Sequence, residues 1–186
     1  MKIDQFWSIV DAVHQKSGGD MDKKCELLRE RLVQLNTEGI RGFRSHFDAC
    51  NHRAYDWSLW GAAYIIHGGC SDDSFSDFRS SLISRGRSLF ERALADPDSL
   101  ADVPLTEEDA CYEGYAYVVT DAEKEILGDS PQIVAPFPTA PSGEPWSEDD
   151  IAALAQRFPR LHRKYSSSSG DDGAGPNPKK PWWKLW

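Results

Sequence analysis

Apolar residues recur at intervals of three and four along nearly the whole chain from Ile3 to Ile126, and only α-helices place such positions on one face. Ile3, Phe6, Val10 and Val13 make a first stripe, ended by Ser17-Gly18-Gly19. Met21, Cys25, Leu28, Leu32 and Leu35 make a second, with steps of 4, 3, 4 and 3. Ile40, Phe43, Phe47, Cys50, Ala54 and Trp57 follow as a third. Residues 59–66, LWGAAYII, are apolar on every side, which predicts a buried central helix rather than a surface one. Gly61, Ala62 and Ala63 in that run would let neighbouring helices come close. Gly68-Gly69 supplies a left-handed stop, and Ser71 with Asp72 and Asp73 supplies an N-cap and an acidic first turn. Phe75, Phe78 and Leu82 carry the next helix, which continues or restarts through Leu89, Phe90 and Leu94 before Pro97. Thr106 opens another, whose Cys111, Tyr115, Val118 and Ala122 point inward as far as Ile126. The only β-leaning run, Ala116 to Thr120, sits inside helical spacing.

The pattern stops at Gly128. Five prolines between Gly128 and Pro145 exclude a helix interior and predict an extended linker or wrapping arm. Ser147 as cap, Asp150 closing a capping box and Trp146 stapled onto Ile151 predict a last helix, with Ile151, Leu154 and Phe158 as its apolar face. From Ser166 to Lys180 the residues are Ser, Gly, Asp, Ala, Pro, Asn and Lys, the composition of a flexible linker. The expected architecture is all-α. Residues 1–127 form a compact domain of six or seven helices, 128–146 a linker or arm, 147–165 a C-terminal helix and 166–186 a Trp-rich tail.

Charge narrows the function. The chain has 21 Lys+Arg against 30 Asp+Glu, a formal net charge of -9, which argues against nucleic acid as partner because duplex affinity rests on neutralising phosphates. No run reaches the roughly 18 apolar residues of a spanning helix. MKIDQFWSIVDAVHQ lacks the basic flank and unbroken apolar core of a secretory signal. Cys25, Cys50, Cys70 and Cys111 have no C-x-x-C or C-x-x-H spacing, so no zinc site is expected, and reduced thiols predict a cytoplasmic setting. The phosphate-binding loop and the dinucleotide fingerprint are absent, so no cofactor is expected.

The block DWSLWGAAYIIHGGCSDDSFSDFRSSLISRGRSLFERALADPDSLA, residues 56–101, together with the Phe6-Trp7 helix, resembles the bacterial domain of unknown function 4240 family over roughly residues 3–127. The resemblance implies a mostly α fold and a bacterial cytosolic setting, and no activity.

Within that block His67, Cys70, Ser71, Asp72, Asp73, Asp77, Arg79 and Arg87 form a dense polar group. Around a pocket they would give an acid–His–Arg cluster suited to a hydrolase. The plainer reading is a joint between two helices, with Ser71 as cap, the carboxylates on the dipole and both arginines paired to them. Caps are common and pockets few, which favours the joint. His67 and Cys70, three apart, invite a thiolate–imidazole reading, but no nucleophile motif accompanies them. Arg44, Asp48, His52 and Asp56 step by four along one helix face. Asp48, His52 and Asp56 would hold a metal only with a second helix completing the shell, and a solvated face with weak ion pairs is the preferred reading. Pro138-Thr139-Ala140-Pro141 is read as ordinary linker.

Three of the seven tryptophans fall in the last five residues. Trp182, Trp183, Lys184, Leu185 and Trp186 follow a tether of about fifteen residues, reaching roughly 21 Å r.m.s.. Residues 166–186 hold three Lys and two Asp, while the body before them holds 18 basic and 28 acidic residues. A cationic aromatic tip on an acidic body suits docking to a protein partner, because Trp anchors dominate binding energy and a tether raises effective concentration. Folding back on the domain ranks second. Membrane contact ranks last and would be weak and reversible, and enzymatic modification of the indoles is a fourth reading. The expected function is a non-catalytic cytoplasmic adaptor or regulatory module. The alternatives are an enzyme using the cluster at residues 67–87, and an immunity-type protein by analogy.

Overall fold

Side-chain caps fix where four of the helices begin. The computed structural model describes residues 1–128 and 136–166. Asp20, Asn36, Asp56 and Ser71 each accept a backbone N–H of the first turn that follows, at 2.7 Å from Lys23, 2.8 Å from Gly39, 2.8 Å from Ser58 and 3.2 Å from Ser74. Such caps stabilise a helix by about 0.5–2 kcal/mol each. They open α2 (Met21–Leu32), α3 (Thr37–Arg53), α4 (Trp57–His67) and α5 (Asp72–Ile83), behind α1 (Ile3–Ser17). Gly18 and Gly68, at φ 63° and 65°, end α1 and α4 in the left-handed conformation.

Beyond α5 the chain restarts a helix rather than continuing one. Gly86, at φ 95°, turns the chain into α6 (Arg87–Ala95) and lies so close to Asp11 that an added Cβ would meet its carboxylate at 2.5 Å. A 3-10 turn (Pro97–Asp102) leads to α7 (Glu107–Ala110), a single turn capped by Thr106, and then to α8 (Gly114–Leu127). The acidic helix expected from Thr106 to Ile126 is therefore two, and Cys111 stands in the break.

Among the described residues there are ten α-helices and no strand, so the fold is all-α. Up to Leu127 seven of them have nine or more residues. α2 packs on α1 and α8, α3 on α8 and α5, and α4 on α5 and the 3-10 turn. Phe6, Leu28, Ile40, Phe43, Phe75, Phe90 and Tyr115 are fully buried between them. No helix among the described residues is long and apolar enough to cross a membrane.

Residues 136–166 wrap α4. Ser142 pairs with the chain at Tyr55 and Trp57 through two backbone hydrogen bonds of 2.9 Å. There follow α9 (Ile151–Arg157) and α10 (Pro159–Ser166), the second packed on α4 and the 3-10 turn. The C-terminal helix expected over 147–165 is thus divided at Phe158-Pro159, where proline breaks the backbone ladder. Asp150, not Ser147, caps α9 by accepting from Ala153 N at 3.0 Å. Trp146 does not staple onto Ile151, which is 58% exposed. Its indole N–H donates to the Trp57 carbonyl at 2.8 Å, and its ring packs on Trp57 and Tyr64 of α4. Gly61 makes the approach possible: a Cβ there would meet Phe158 at 2.8 Å, Leu154 at 3.1 Å and Trp146 at 3.3 Å. Trp182, Trp183, Lys184, Leu185 and Trp186 lie outside the described residues.

A cleft at α3, α5 and α8, and a thiol–imidazole contact beside it

The polar group at residues 67–87 does not converge on one pocket; α5 distributes it over three environments. Arg87, at the start of α6, turns to α1, where its side chain pairs with Asp4 at 2.9 Å and its backbone N–H donates to Asp11 at 2.9 Å. Asp72 and Asp73 are exposed in the first turn of α5. Asp77, half-buried on the same helix, is raised to about 6 by burial and then by Glu113 and Asp73. The arginines are therefore not the partners of the capping carboxylates.

His67, the last residue of α4, meets a cysteine, but not Cys70 as its nearest sulfur contact. Its Nε2 lies 2.9 Å from Cys111 Sγ, which also lies 3.2 Å from the Ser74 carbonyl oxygen. Cys70 is buried beside it, with its carbonyl accepting the Trp60 indole N–H at 2.9 Å. The Cys111 thiol is pushed far above the ordinary thiol value, by the neighbouring Cys70 sulfur and by burial, against a smaller opposing effect of His67. A raised thiol pKa disfavours the thiolate that a cysteine nucleophile needs, and Cys111 is a half-buried hydrogen-bonding group. All four cysteines are free.

Arg79 faces the other side of α5 and is 3% exposed. Its Nε donates to the Phe75 carbonyl at 3.3 Å and its Nη1 to the Asn51 carbonyl at 3.0 Å. The rings of Tyr55, Phe75 and Phe137 stand 4.9, 5.1 and 5.1 Å from the guanidinium carbon. Among the described residues it has no ion pair. Asp72 favours its charged form from farther away. Burial lowers the Arg79 pKa from its ordinary value, yet a guanidinium stays charged throughout the physiological range.

Arg79 lines a cleft of about 450 Å³ with Arg44, Phe47, Asp48, Asn51, His52, Ser76, Ser80, Ala116, Thr120, Pro136 and Phe137. The ladder expected on α3 forms one wall, with a correction. Arg44 Nε contacts both Asp48 oxygens at 2.9 Å, and Arg44 Nη1 reaches Glu123 at 3.5 Å. His52 meets the Phe137 ring edge-on at 5.1 Å. Asp56 has left the ladder, because α3 ends at Arg53 and Asp56 caps α4 instead, also accepting from the Ser142 hydroxyl at 2.9 Å. Asp48, His52 and Asp56 are thus not a ligand set, and no group of His, Cys, Asp or Glu among the described residues has a geometry that would hold a metal. The wall is half-buried rather than a solvated face: Arg44 and Asp48 side chains are 21% and 18% exposed.

Cys111, Tyr55, Asn51, Thr120 and Phe137 were not legible as site residues. Cys111 is an apolar-stripe position and Phe137 one residue of a Pro-rich segment; neither carries a motif, and tertiary packing alone assembles them.

The described residues define an all-helical domain with a small cleft of mixed polar and aromatic walls. The chain belongs to the family described as protein of unknown function (DUF4240), which matches residues 1–124. No curated protein matches the chain, and no solved structure does. The match takes in the α3, α5 and α8 walls of the cleft and ends before Phe137.

Proposed function

We propose that this chain is a non-catalytic interaction module of the cytoplasm, docking a protein partner through Trp182, Trp183, Lys184, Leu185 and Trp186. The observation that carries the reading is the occupancy of α4. The aromatic shelf of Trp57, Trp60 and Tyr64 is the surface on which a Trp-rich segment would fold back. Trp146 already packs on Trp57 and Tyr64, and Leu154 and Phe158 close on Gly61 between them. The departure point of the tail is fixed as well, since Lys164 Nζ donates to the Ala101 and Val103 carbonyls at 2.9 and 2.6 Å. The composition of residues 166–180 is that of a flexible linker, for which about fifteen residues would give roughly 21 Å r.m.s. of reach. Free thiols fit a reducing compartment, and the neutral Cys111 thiol supports a body without a cysteine nucleophile.

The test compares the full chain with one ending at Lys180 in an affinity capture from the native host, with tryptophan emission recorded for both. A partner retained only by the full chain, with solvent-like emission from the tail indoles of the free protein, supports the reading. An unchanged set of captured proteins, or a blue-shifted tail contribution in the isolated protein, removes it.

A further inference from the structure

The cleft at α3, α5 and α8 contains a buried cation that has no ion pair among the described residues. Burying an unpaired charge is costly, and proteins ordinarily offset it with a carboxylate or a full set of hydrogen bonds. Arg44 follows that rule through Asp48 and Glu123. Arg79 does not. Two of its nitrogens are engaged by the Phe75 and Asn51 carbonyls, and no partner among the described residues takes Nη2. The guanidinium lines a cavity of about 450 Å³, within the range of roughly 300–1,000 Å³ of small-molecule sites.

The walls state what would fit. Neutral donors and acceptors, Asn51, Ser76, Ser80 and Thr120, line the cleft with Arg79, while Phe47, Ala116, Pro136 and Phe137 supply apolar surface. One unpaired positive charge, on which Asp72 acts only from farther away, matches one negative charge. A doubly charged phosphate would meet the Asp48 carboxylate, and the other cation in the described lining, Arg44, is already paired with Asp48. An anion with an apolar body would place charge and ring on the two kinds of wall together.

We propose that this cleft binds a small amphipathic monocarboxylate, its carboxylate taken by the free edge of Arg79 and its apolar body lying between Phe47 and Phe137. The site is independent of the Trp tail and belongs to the helical body.

The experiment titrates the full chain with para-fluorophenylacetate, with its uncharged analogue para-fluorophenylacetamide and with inorganic phosphate, following the two fluorinated probes by fluorine NMR and phosphate by its competition with the acid. The acid is expected to bind at least about tenfold more tightly than the amide, a difference of about 1.4 kcal/mol. Phosphate is expected to compete poorly. Arg79→Met, whose folding is checked by circular dichroism, abolishes the preference. Ser76→Trp, made at an exposed position on the rim, blocks the cleft, abolishes binding of both probes and leaves the fold intact. Equal binding of acid and amide, no binding of the acid, acid binding that survives Ser76→Trp, or tighter binding of phosphate than of the acid each overturns the proposal. If Arg79→Met does not fold, the wild-type acid–amide comparison and the blocked variant decide it.

Discussion

The Phe137 ring stands 5.1 Å from the guanidinium carbon of Arg79, so a residue of the Pro-rich segment closes over a cation contributed by α5. It also contacts Tyr55, with ring centroids 4.9 Å apart. This contact ties the wrapping arm to the helical body on the α3 side, as Trp146 ties it on the α4 side.

Phe137→Ala removes one of three rings around Arg79. Phe137 is 47% exposed, so the loss is expected near the low end for a cation–π contact, about 0.5–1 kcal/mol. Urea unfolding should show a lower midpoint with an unchanged slope. An unaltered midpoint would show that the ring rests on the surface without stabilising it.

Gly61→Val forces two branches into space already held by Phe158, Leu154 and Trp146. Overpacking of this kind costs about 1–3 kcal/mol. Pairing it with Phe158→Leu should recover part of the loss, because the Phe158 ring supplies the closest contact at 2.8 Å. Chemical denaturation of the single and double variants measures both effects, and additive losses would disprove the contact.

The thiols should be slow. Burial pushes Cys25 to about 11 and Cys50 to about 12, and Cys111 is raised further still. At pH 8 all three are expected to react with iodoacetamide at least about tenfold more slowly than a free cysteine of pKa ≈ 8.5. Mass spectrometry of the native protein gives the rates residue by residue. A Cys111 faster than a free thiol would instead identify an activated thiol beside His67.

Lys24 is fully buried, and among the described residues its Nζ meets Met21 Sδ and Ser84 Oγ, both at 3.2 Å. Burial, then the nearby Arg85 charge, lowers it from 10.5 to about 8. Between those values the unfolded chain binds the proton and the native chain does not, so Lys24 makes stability rise with pH across this window. Lys24→Met removes both the buried charge and that slope. It is expected to be more stable than the parent at pH 7 by about 1 kcal/mol or more, with the advantage shrinking by pH 10. Thermal unfolding of the pair at several pH values tests the sign, and a constant difference would contradict it.

Helix phase was readable because it is local: the stripes through Phe6, Leu28, Phe43 and Phe78, the Ser71 cap and the Gly68 stop all stand where the residues placed them. What failed depended on partners distant in sequence. Asp56 shares a four-residue step with His52, yet its carboxylate caps the next helix because α3 ends at Arg53. Trp146 had Ile151 as a neighbour in the chain and found Tyr64 in space. The cleft was half legible, since Asp48, His52 and Arg79 were marked but their common wall was not. Nothing in the order of residues joins α3 to α5 across Asn51, or brings Cys111 to His67.

Asp98 is 9% exposed, and its carboxylate accepts the backbone N–H groups of Arg160 at 3.1 Å and Leu161 at 2.9 Å. It lies inside the family match, while the amides it serves lie beyond residue 124. The family match along the chain therefore ends before the helix whose first turn Asp98 holds. A chain ended at Leu127 would keep every family residue through 124, strip the cover from α4 and leave Asp98 with a charge and no helix to cap.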